Sequence, residues 1–234
     1  MHRSAAFSLA AATALTVACG ESRPRPAGDS ANTIALPNAA AAPAPSVFYV
    51  RFETSKGPFV VEAHRDWAPH GVDRFHQLVQ SQYFDNVGFF RVVSSFMAQF
   101  GMHGDPTVNA AWENLTIPDD SVVQSNRRGY VSFASLSTPN SRTTQLFIST
   151  VNNRPLDEMG FAPIGRVVEG MAVVDSLYAD YGDAPPGGQG PDQTRITAEG
   201  NGYLEREFPK LDFIRTARVV SDSTVASRRD TSSR

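Results

Sequence analysis

The sequence predicts a mainly β domain with two helices, placed between an N-terminal leader and a short polar tail. Short apolar runs of strand length recur along the chain and are separated by turn residues. Two other segments instead carry apolar residues at helical spacing. With 234 residues, 41% hydrophobic and 10% aromatic, the chain has the composition of a globular protein. Many strands with few helices fit a closed antiparallel barrel, which leaves no free sheet edge.

Composition and charge exclude several classes of function. The formal net charge of −3 gives no electrostatic reason to expect a nucleic-acid partner. A single cysteine excludes an internal disulfide framework. The five histidines show no metal-ligand spacing, so we expect no metal site.

The first 19 residues resemble a bacterial export signal of the lipoprotein type. Residues 5–17 form a short apolar run that follows the polar start His2-Arg3, and small residues lead into Cys19. The apolar run is too short for a comfortable membrane span. We expect Cys19 to be lipidated, with simple secretion as the alternative, and therefore an envelope or periplasmic location.

The next segment, residues 20–46, is rich in Ala, Pro, Asn and Ser. Such a composition buries too little apolar surface to fold, so it predicts a disordered tether. The folded domain is expected over residues 47–220, and residues 221–234 are expected to form a disordered polar tail. We expect a monomer held at a membrane by the lipid anchor.

The domain is predicted to begin with a β-hairpin. Residues 47–53 alternate, with Phe48, Val50 and Phe52 on one face, and a turn leads into a second strand over residues 59–64. A helix then begins at Pro69, a residue suited to the first helical turn, and ends near Tyr83. Its apolar residues form one stripe: Val72, Phe75, Leu78 and Val79.

The central stretch, residues 89–101, carries the first functional signal. The stretch is β-rich and consists largely of apolar residues, yet it contains Arg91 and Gln99. An unpaired buried charge is very costly, so Arg91 indicates either a solvated edge or a functional pocket.

The remaining elements are assigned from short apolar runs and from Gly and Pro breaks. Further strands are predicted over 112–117, 130–134, 145–151, 161–167 and 211–220. A second helix is expected to follow Gly170 over 171–178, and a helical turn is expected over 204–208. Residues 182–192 are predicted to form a Gly/Pro loop.

Taken together, several separated motifs resemble the cyclophilin-type peptidyl-prolyl isomerases. They are Phe89-Phe90-Arg91 with Phe96-Met97-Ala98-Gln99, then Ser132-Phe133-Ala134, then Pro139-Asn140-Ser141 with Gln145-Leu146-Phe147-Ile148, and finally Leu156-Asp157 with Gly160-Phe161-Ala162-Pro163. They agree in order and spacing over about residues 47–174. The resemblance implies a closed eight-stranded antiparallel barrel with a helix over each end.

The resemblance also implies an activity and a set of site residues. The activity is cis–trans isomerisation of X–Pro bonds (EC 5.2.1.8) in proline-containing segments of unfolded or exported proteins. This reaction makes and breaks no bond, so we expect no cofactor. Arg91 is the implied catalytic residue, and Gln99 is expected to bind the peptide backbone and to orient Arg91. The other implied substrate contacts are Phe90, Phe96, Met97, Ala134, Ser135, Gln145, Phe147, Leu156 and Phe161. The alternative is a catalytically weak module of the cell envelope that binds proline-containing peptides as a chaperone.

Overall fold

One curled antiparallel sheet of nine strands dominates the fold. The structure is a computed structural model that describes residues 42–222. The strands are β1 (Val47–Thr54), β2 (Gly57–His64), β3 (Val87–Gly88), β4 (Arg91–Val93), β5 (Met97–Phe100), β6 (Tyr130–Phe133), β7 (Leu146–Ser149), β8 (Pro163–Glu169) and β9 (Phe213–Val220). The helices are α1 (Pro69–Gln80), α2 (Pro106–Glu113), α3 (Pro155–Glu158), α4 (Met171–Asp175), α5 (Gln193–Glu199) and α6 (Asn201–Glu207).

The mainly β antiparallel architecture is confirmed, but the strand count and the closure differ from the expectation. The order in the sheet is β3-β9-β1-β2-β8-β6-β7-β5-β4. The two edge strands, β3 and β4, are consecutive in sequence, and only Phe89 and Phe90 separate them. The N–H of Phe89 donates to the carbonyl of Asp212 at 2.9 Å, while the ladder between β3 and β9 includes only Val87 and Gly88. One bent segment therefore gives two short strands, and the described residues form no ladder between β3 and β4.

Residues 89–101, which the sequence presents as one β-rich stretch, form a hairpin of two strands. Strands β4 and β5 pair antiparallel, with Arg91 opposite Gln99 and Val93 opposite Met97. In the intervening turn Ser95 has a φ of 57°, which lies outside the β region, so a strand cannot continue through this residue. This hairpin puts the one charged residue and the one amide of the stretch side by side.

Aromatic side chains fill the main core. Phe52 in β1 stacks on Phe59 in β2, with ring centroids 4.7 Å apart, and its edge also meets Phe100 at 5.9 Å. Both predicted strands of this first hairpin are confirmed, with Phe52 paired to Phe59. Helix α1 covers this core with Phe75, which is fully buried. Closely packed rings of this kind give the sheet a rigid interior against which the site can be built.

The predicted strand over 112–117 is wrong, because Trp112 lies in α2. Pro106 begins this helix, and the Asp105 carboxylate caps it by accepting from the N–H of Thr107 at 2.8 Å. Trp112 is buried, and the Arg74 guanidinium lies 5.6 Å from its ring centroid. Beyond the helix, Ile117 makes only an isolated bridge to Arg142.

The two predicted helices are confirmed as α1 and α4, although α4 ends at Asp175 and not at 178. The helical turn expected over 204–208 is present as α6, and three further short helices, α2, α3 and α5, were not predicted. Strands β6 to β9 begin and end close to their expected positions. The Asp192 carboxylate caps α5 by accepting from the N–H of Thr194 at 2.7 Å.

Packing extends a few residues before β1. Ala44 is buried, and its N–H donates to the Asp73 carboxylate at 2.8 Å. The predicted leader with Cys19, most of the predicted tether and nearly all of the tail lie outside the described residues. Within residues 42–222, the helices are too short and too polar to span a bilayer.

Candidate active site

The site is built on the β4–β5 hairpin. Because Arg91 and Gln99 are register partners, their side chains project to the same face of the sheet. Nη1 of Arg91 donates to Oε1 of Gln99 at 3.1 Å. The guanidinium also lies 5.9 Å from the ring centroid of Phe96 and 4.0 Å from the sulfur of Met97. Arg91 is therefore held at the boundary between a polar partner and an apolar wall.

A separate apolar cluster adjoins this pair. Met97, Phe147 and Leu156 are buried against one another. Val93, Phe96, Ala134 and Phe161 pack around them and remain partly exposed. Phe161 meets Phe147 edge to face, with centroids 5.6 Å apart. The result is a small apolar pocket next to a cationic group.

The pocket and Arg91 open into one cavity of about 600 Å³. Ten of the eleven residues predicted for catalysis or substrate binding line it: Arg91, Phe96, Met97, Gln99, Ala134, Ser135, Gln145, Phe147, Leu156 and Phe161. The cavity continues past Ala134 and Ser135 into a more polar part that includes Glu113, Asn114, Thr116 and Ser141. An extended peptide could therefore occupy more than the apolar end.

Phe90 is the exception among the predicted substrate contacts. It is only 2% exposed and belongs to another core cluster, with Met102, Ile196 and Leu204 among its neighbours. Side chains alternate along a strand, so the residue before Arg91 points away from the face that carries Arg91. The structure therefore places Phe90 behind the site, where it packs under α5 and α6.

Three glutamines form a hydrogen-bonded chain that starts at Gln99. The amide of Gln99 donates to Oε1 of Gln145 at 2.8 Å, and the amide of Gln145 donates to Oε1 of Gln193 at 3.3 Å. Gln99 is 6% exposed and keeps its carbonyl oxygen toward Arg91. The chain fixes the direction of the Gln99 and Gln145 amides, since each donates to the next residue and accepts from another group.

Asp183 makes the closest polar contact to Arg91. Its two carboxylate oxygens accept from Nε and Nη2 of Arg91, each at 2.7 Å. The Arg91 guanidinium holds the pKa of the Asp183 carboxyl below its usual range. Sequence reasoning missed Asp183 and Gln193, which lie in and just after the predicted Gly/Pro loop. A single aspartate in such a loop carries no sequence signal for a contact with β4.

Ser125, Asn126 and Asp157 form a hydrogen-bonded polar clamp behind the pocket wall. Burial raises the pKa of the Asp157 carboxyl, but hydrogen bonds from Ser125 and Asn126 outweigh burial and keep the pKa below its usual range. Asn126 also donates to the carbonyl of Phe161 at 2.8 Å. The clamp thereby ties α3, which carries Leu156, to the loop that carries Phe161. Among residues 42–222, His, Cys, Asp and Glu side chains form no group suited to a metal ion.

Comparison with known proteins shows the family to which the chain belongs. Residues 49–197 match the family model described as cyclophilin type peptidyl-prolyl cis-trans isomerase/CLD. Because the match covers more than half of the chain, the protein belongs to the cyclophilin-type peptidyl-prolyl cis-trans isomerases. It is accordingly an enzyme that interconverts the cis and trans forms of peptide bonds preceding proline.

Two bacterial relatives illustrate the extent of the similarity. Peptidyl-prolyl cis-trans isomerase B of Escherichia coli is 27% identical over 180 residues, which cover 74% of this chain and 99% of that protein. A peptidyl-prolyl cis-trans isomerase of Acinetobacter baylyi is 30% identical over 132 residues, covering 55% of this chain and 70% of the relative.

Solved structures support the fold. A cyclophilin-type isomerase of Cryptosporidium parvum superimposes with a TM-score of 0.57 at 22% identity, covering 75% of this chain and 99% of the other. A cyclophilin of Hirschia baltica gives a TM-score of 0.55 at 21% identity, with 77% of each chain covered.

Proposed function

We propose that this isomerase acts on X–Pro bonds of exported proteins, with Arg91 as its catalytic residue and Cys19 as its lipid anchor. The observation that carries the catalytic part is the pairing of Arg91 with Gln99 at the mouth of an apolar pocket. The anchor rests on the sequence of the leader alone.

The reaction needs a particular electrostatic environment and no covalent step. Amide resonance makes the barrier to rotation ~18–20 kcal/mol, and uncatalysed isomerisation takes tens of seconds. Bringing that to milliseconds requires a factor of roughly 10⁴, which corresponds to about 5–6 kcal/mol. The enzyme must bind the twisted peptide bond more tightly than either planar form.

Arg91 is suited to this differential binding. In the twisted state the proline nitrogen loses resonance and gains a lone pair that can accept a hydrogen bond. Two of the five N–H bonds of Arg91 go to Asp183 and one goes to Gln99. The other N–H of Nη1 meets only the Met97 sulfur, a weak acceptor, at 4.0 Å. This N–H and the second N–H of Nη2 can approach the peptide, and the Phe96 wall next to them lowers the local dielectric.

The apolar end of the cavity provides the binding site for the proline ring. Met97, Phe147 and Leu156 form its buried floor, while Phe96 and Phe161 form its sides. Because the Arg91 guanidinium lies 4.0 Å from the Met97 sulfur and 5.9 Å from the Phe96 ring centroid, a proline ring held there would lie beside the guanidinium. In a second structure of the Cryptosporidium parvum protein the dipeptide Ala-Pro is present, which supports recognition of an Ala-Pro unit by this fold.

An exchange experiment tests the catalytic proposal. The purified protein is expected to broaden and merge the cis and trans NMR signals of a short X–Pro peptide without added metal or cofactor. Exchange at the uncatalysed rate with a folded protein would contradict the proposal and favour a module that binds proline peptides with little turnover.

Replacement of Cys19 by Ser is expected to release the protein from membranes into the soluble envelope fraction and to leave isomerase activity unchanged. A thioether-linked lipid needs the cysteine sulfur, and the proposed tether separates this position from the cavity. With coil-like reach of ~5–6 Å × √n, the tether spans roughly 25–30 Å, about one domain diameter. Cell fractionation followed by immunoblotting measures the result, with Ser22→Ala, three residues after Cys19 in the proposed tether, as the control. Equal membrane retention of the Cys19→Ser variant and the parent protein would contradict the anchor.

A further inference from the structure

We propose that Asp183 is a positioning residue that sets the orientation of the Arg91 guanidinium for isomerisation. The proposal deepens the proposed function and rests on Arg91 being the catalytic group. It assigns a role to the Gly/Pro loop 182–192, which the predicted site did not include.

The contact is directional. Asp183 engages the Nε–Nη2 edge of Arg91 with two hydrogen bonds of 2.7 Å. A fork of this kind fixes the plane of a guanidinium as well as its position, which a single contact cannot do. Gln99 then meets Nη1 at 3.1 Å. Between them, the two partners determine where the remaining N–H bonds of Arg91 point.

The carboxylate is itself anchored to the strand that carries Arg91. Gly182 forms an antiparallel bridge with Val92, the residue that follows Arg91. The N–H of Gly190 donates to the carbonyl of Asp183 at 2.7 Å, and the N–H of Ala184 donates to Oδ1 at 2.8 Å. The distance between Asp183 and Arg91 therefore does not depend on a loosely attached loop.

Close backbone packing adds to this anchoring. A Cβ atom at Gly188 would collide with the backbone of Asp183. The chain can therefore fold back onto Asp183 only with glycine at position 188. The arrangement holds one carboxylate in one place, as a positioning role requires.

Asp183 orients Arg91 without filling the substrate space. Arg91 lines the cavity, whereas Asp183 is absent from its lining. The ion pair lies along the Nε–Nη2 edge of the guanidinium and leaves the second N–H of Nη2 available. It also leaves the Nη1 N–H that does not go to Gln99, whose contact is the Met97 sulfur at 4.0 Å. Since the Asp183 side chain is 37% exposed, solvent screens part of its charge, and Arg91 keeps its capacity to stabilise a lone pair. Misplacement of a catalytic group by about 1 Å can cost roughly 100-fold in rate.

The test compares steady-state isomerisation of one X–Pro peptide by the full-length parent, Asp183→Asn and Asp183→Ala proteins. Both variants are expected to lower kcat about tenfold, within the range that misplacement of a catalytic group produces, while KM changes less than about twofold. Asp180→Asn is the control: Asp180 lies three residues earlier, is exposed, and makes no hydrogen bond or ion pair within residues 42–222. It removes one negative charge just before the Gly/Pro loop and is expected to match the parent.

A double-mutant cycle shows whether Asp183 acts through Arg91. In an Arg91→Ala background, Asp183→Asn is expected to cause no further loss, because no guanidinium remains to be oriented. Parental or raised activity of folded Asp183→Asn would overturn the proposal, and so would a loss that persists without Arg91. If Arg91→Ala is inactive while Asp183→Asn keeps full activity, only the positioning role fails. If Arg91→Ala itself keeps full activity, the proposed function fails first.

Discussion

Arg91→Ala is expected to lower kcat/KM for an X–Pro peptide by about two to three orders of magnitude, the loss typical of removing a pre-organised donor. The variant lacks the N–H bonds that stabilise the twisted peptide bond, whereas the apolar pocket remains. Exchange NMR on the purified protein measures the rate. The fold should survive, because Arg91 is 25% exposed and its partner Asp183 is 37% exposed, so water can solvate the carboxylate that is left.

Arg91→Lys is the matched variant for this experiment. It retains a positive charge but cannot make the forked contact with Asp183 while also donating to Gln99. We expect it to remain much closer to the alanine variant than to the parent. Full activity of Arg91→Ala would refute the catalytic role, and full activity of Arg91→Lys would show that charge without orientation suffices.

Phe147→Ala is expected to destabilise the domain by ~3–5 kcal/mol and to weaken peptide binding. The ring is 5% exposed and packs edge to face on Phe161. Its removal leaves a cavity at the floor of the proline pocket and deletes a wall that the proline ring would contact. Urea denaturation measures the free energy of unfolding, and NMR titration with an X–Pro peptide measures affinity.

A second phenylalanine separates these two effects. Phe48 is also 5% exposed but belongs to the main core and does not line the cavity. Phe48→Ala should cost a similar free energy of unfolding and leave peptide affinity at the parental value under conditions in which it is folded. If Phe147→Ala binds peptide as well as Phe48→Ala does, Phe147 is a core residue and not a pocket wall.

Much of the site could be predicted because its residues occur in short motifs. Met97 to Gln99 and Leu146 to Phe147 lie on strands that pair directly, with Gln99 opposite Phe147. Phe96 and Gln145 each come immediately before one of these strands. Local sequence order therefore reproduces part of the three-dimensional arrangement. The catalytic and binding roles came from the family resemblance. Without it, a solvated edge was the simpler explanation for an arginine in an apolar stretch.

The parts that could not be predicted depend on contacts between distant segments. Asp183 reaches Arg91 only because Gly182 bridges to Val92, and nothing in the local sequence indicates that bridge. Trp112 looked like a strand residue because an aromatic next to apolar neighbours suits either structure. The capping carboxylate of Asp105 and the proline after it were the signals for a helix. Phe90 was assigned by motif position, although its side chain packs behind the site with Met102 and Ile196.

The position of β9 has a consequence for how the domain acquires its fold. This last strand lies between β1 and β3 in the sheet, so the C-terminal end of the domain pairs with its first strand. Synthesis begins at the N-terminus, so the β1–β2 hairpin can form early. The core covered by β1 stays exposed to water until Phe213–Val220 has been synthesised and has paired with β1. Such non-local pairing must overcome the entropy of a long loop and is slow. The domain therefore completes its native state only after its whole length has emerged, and until then it is itself an unfolded chain containing prolines.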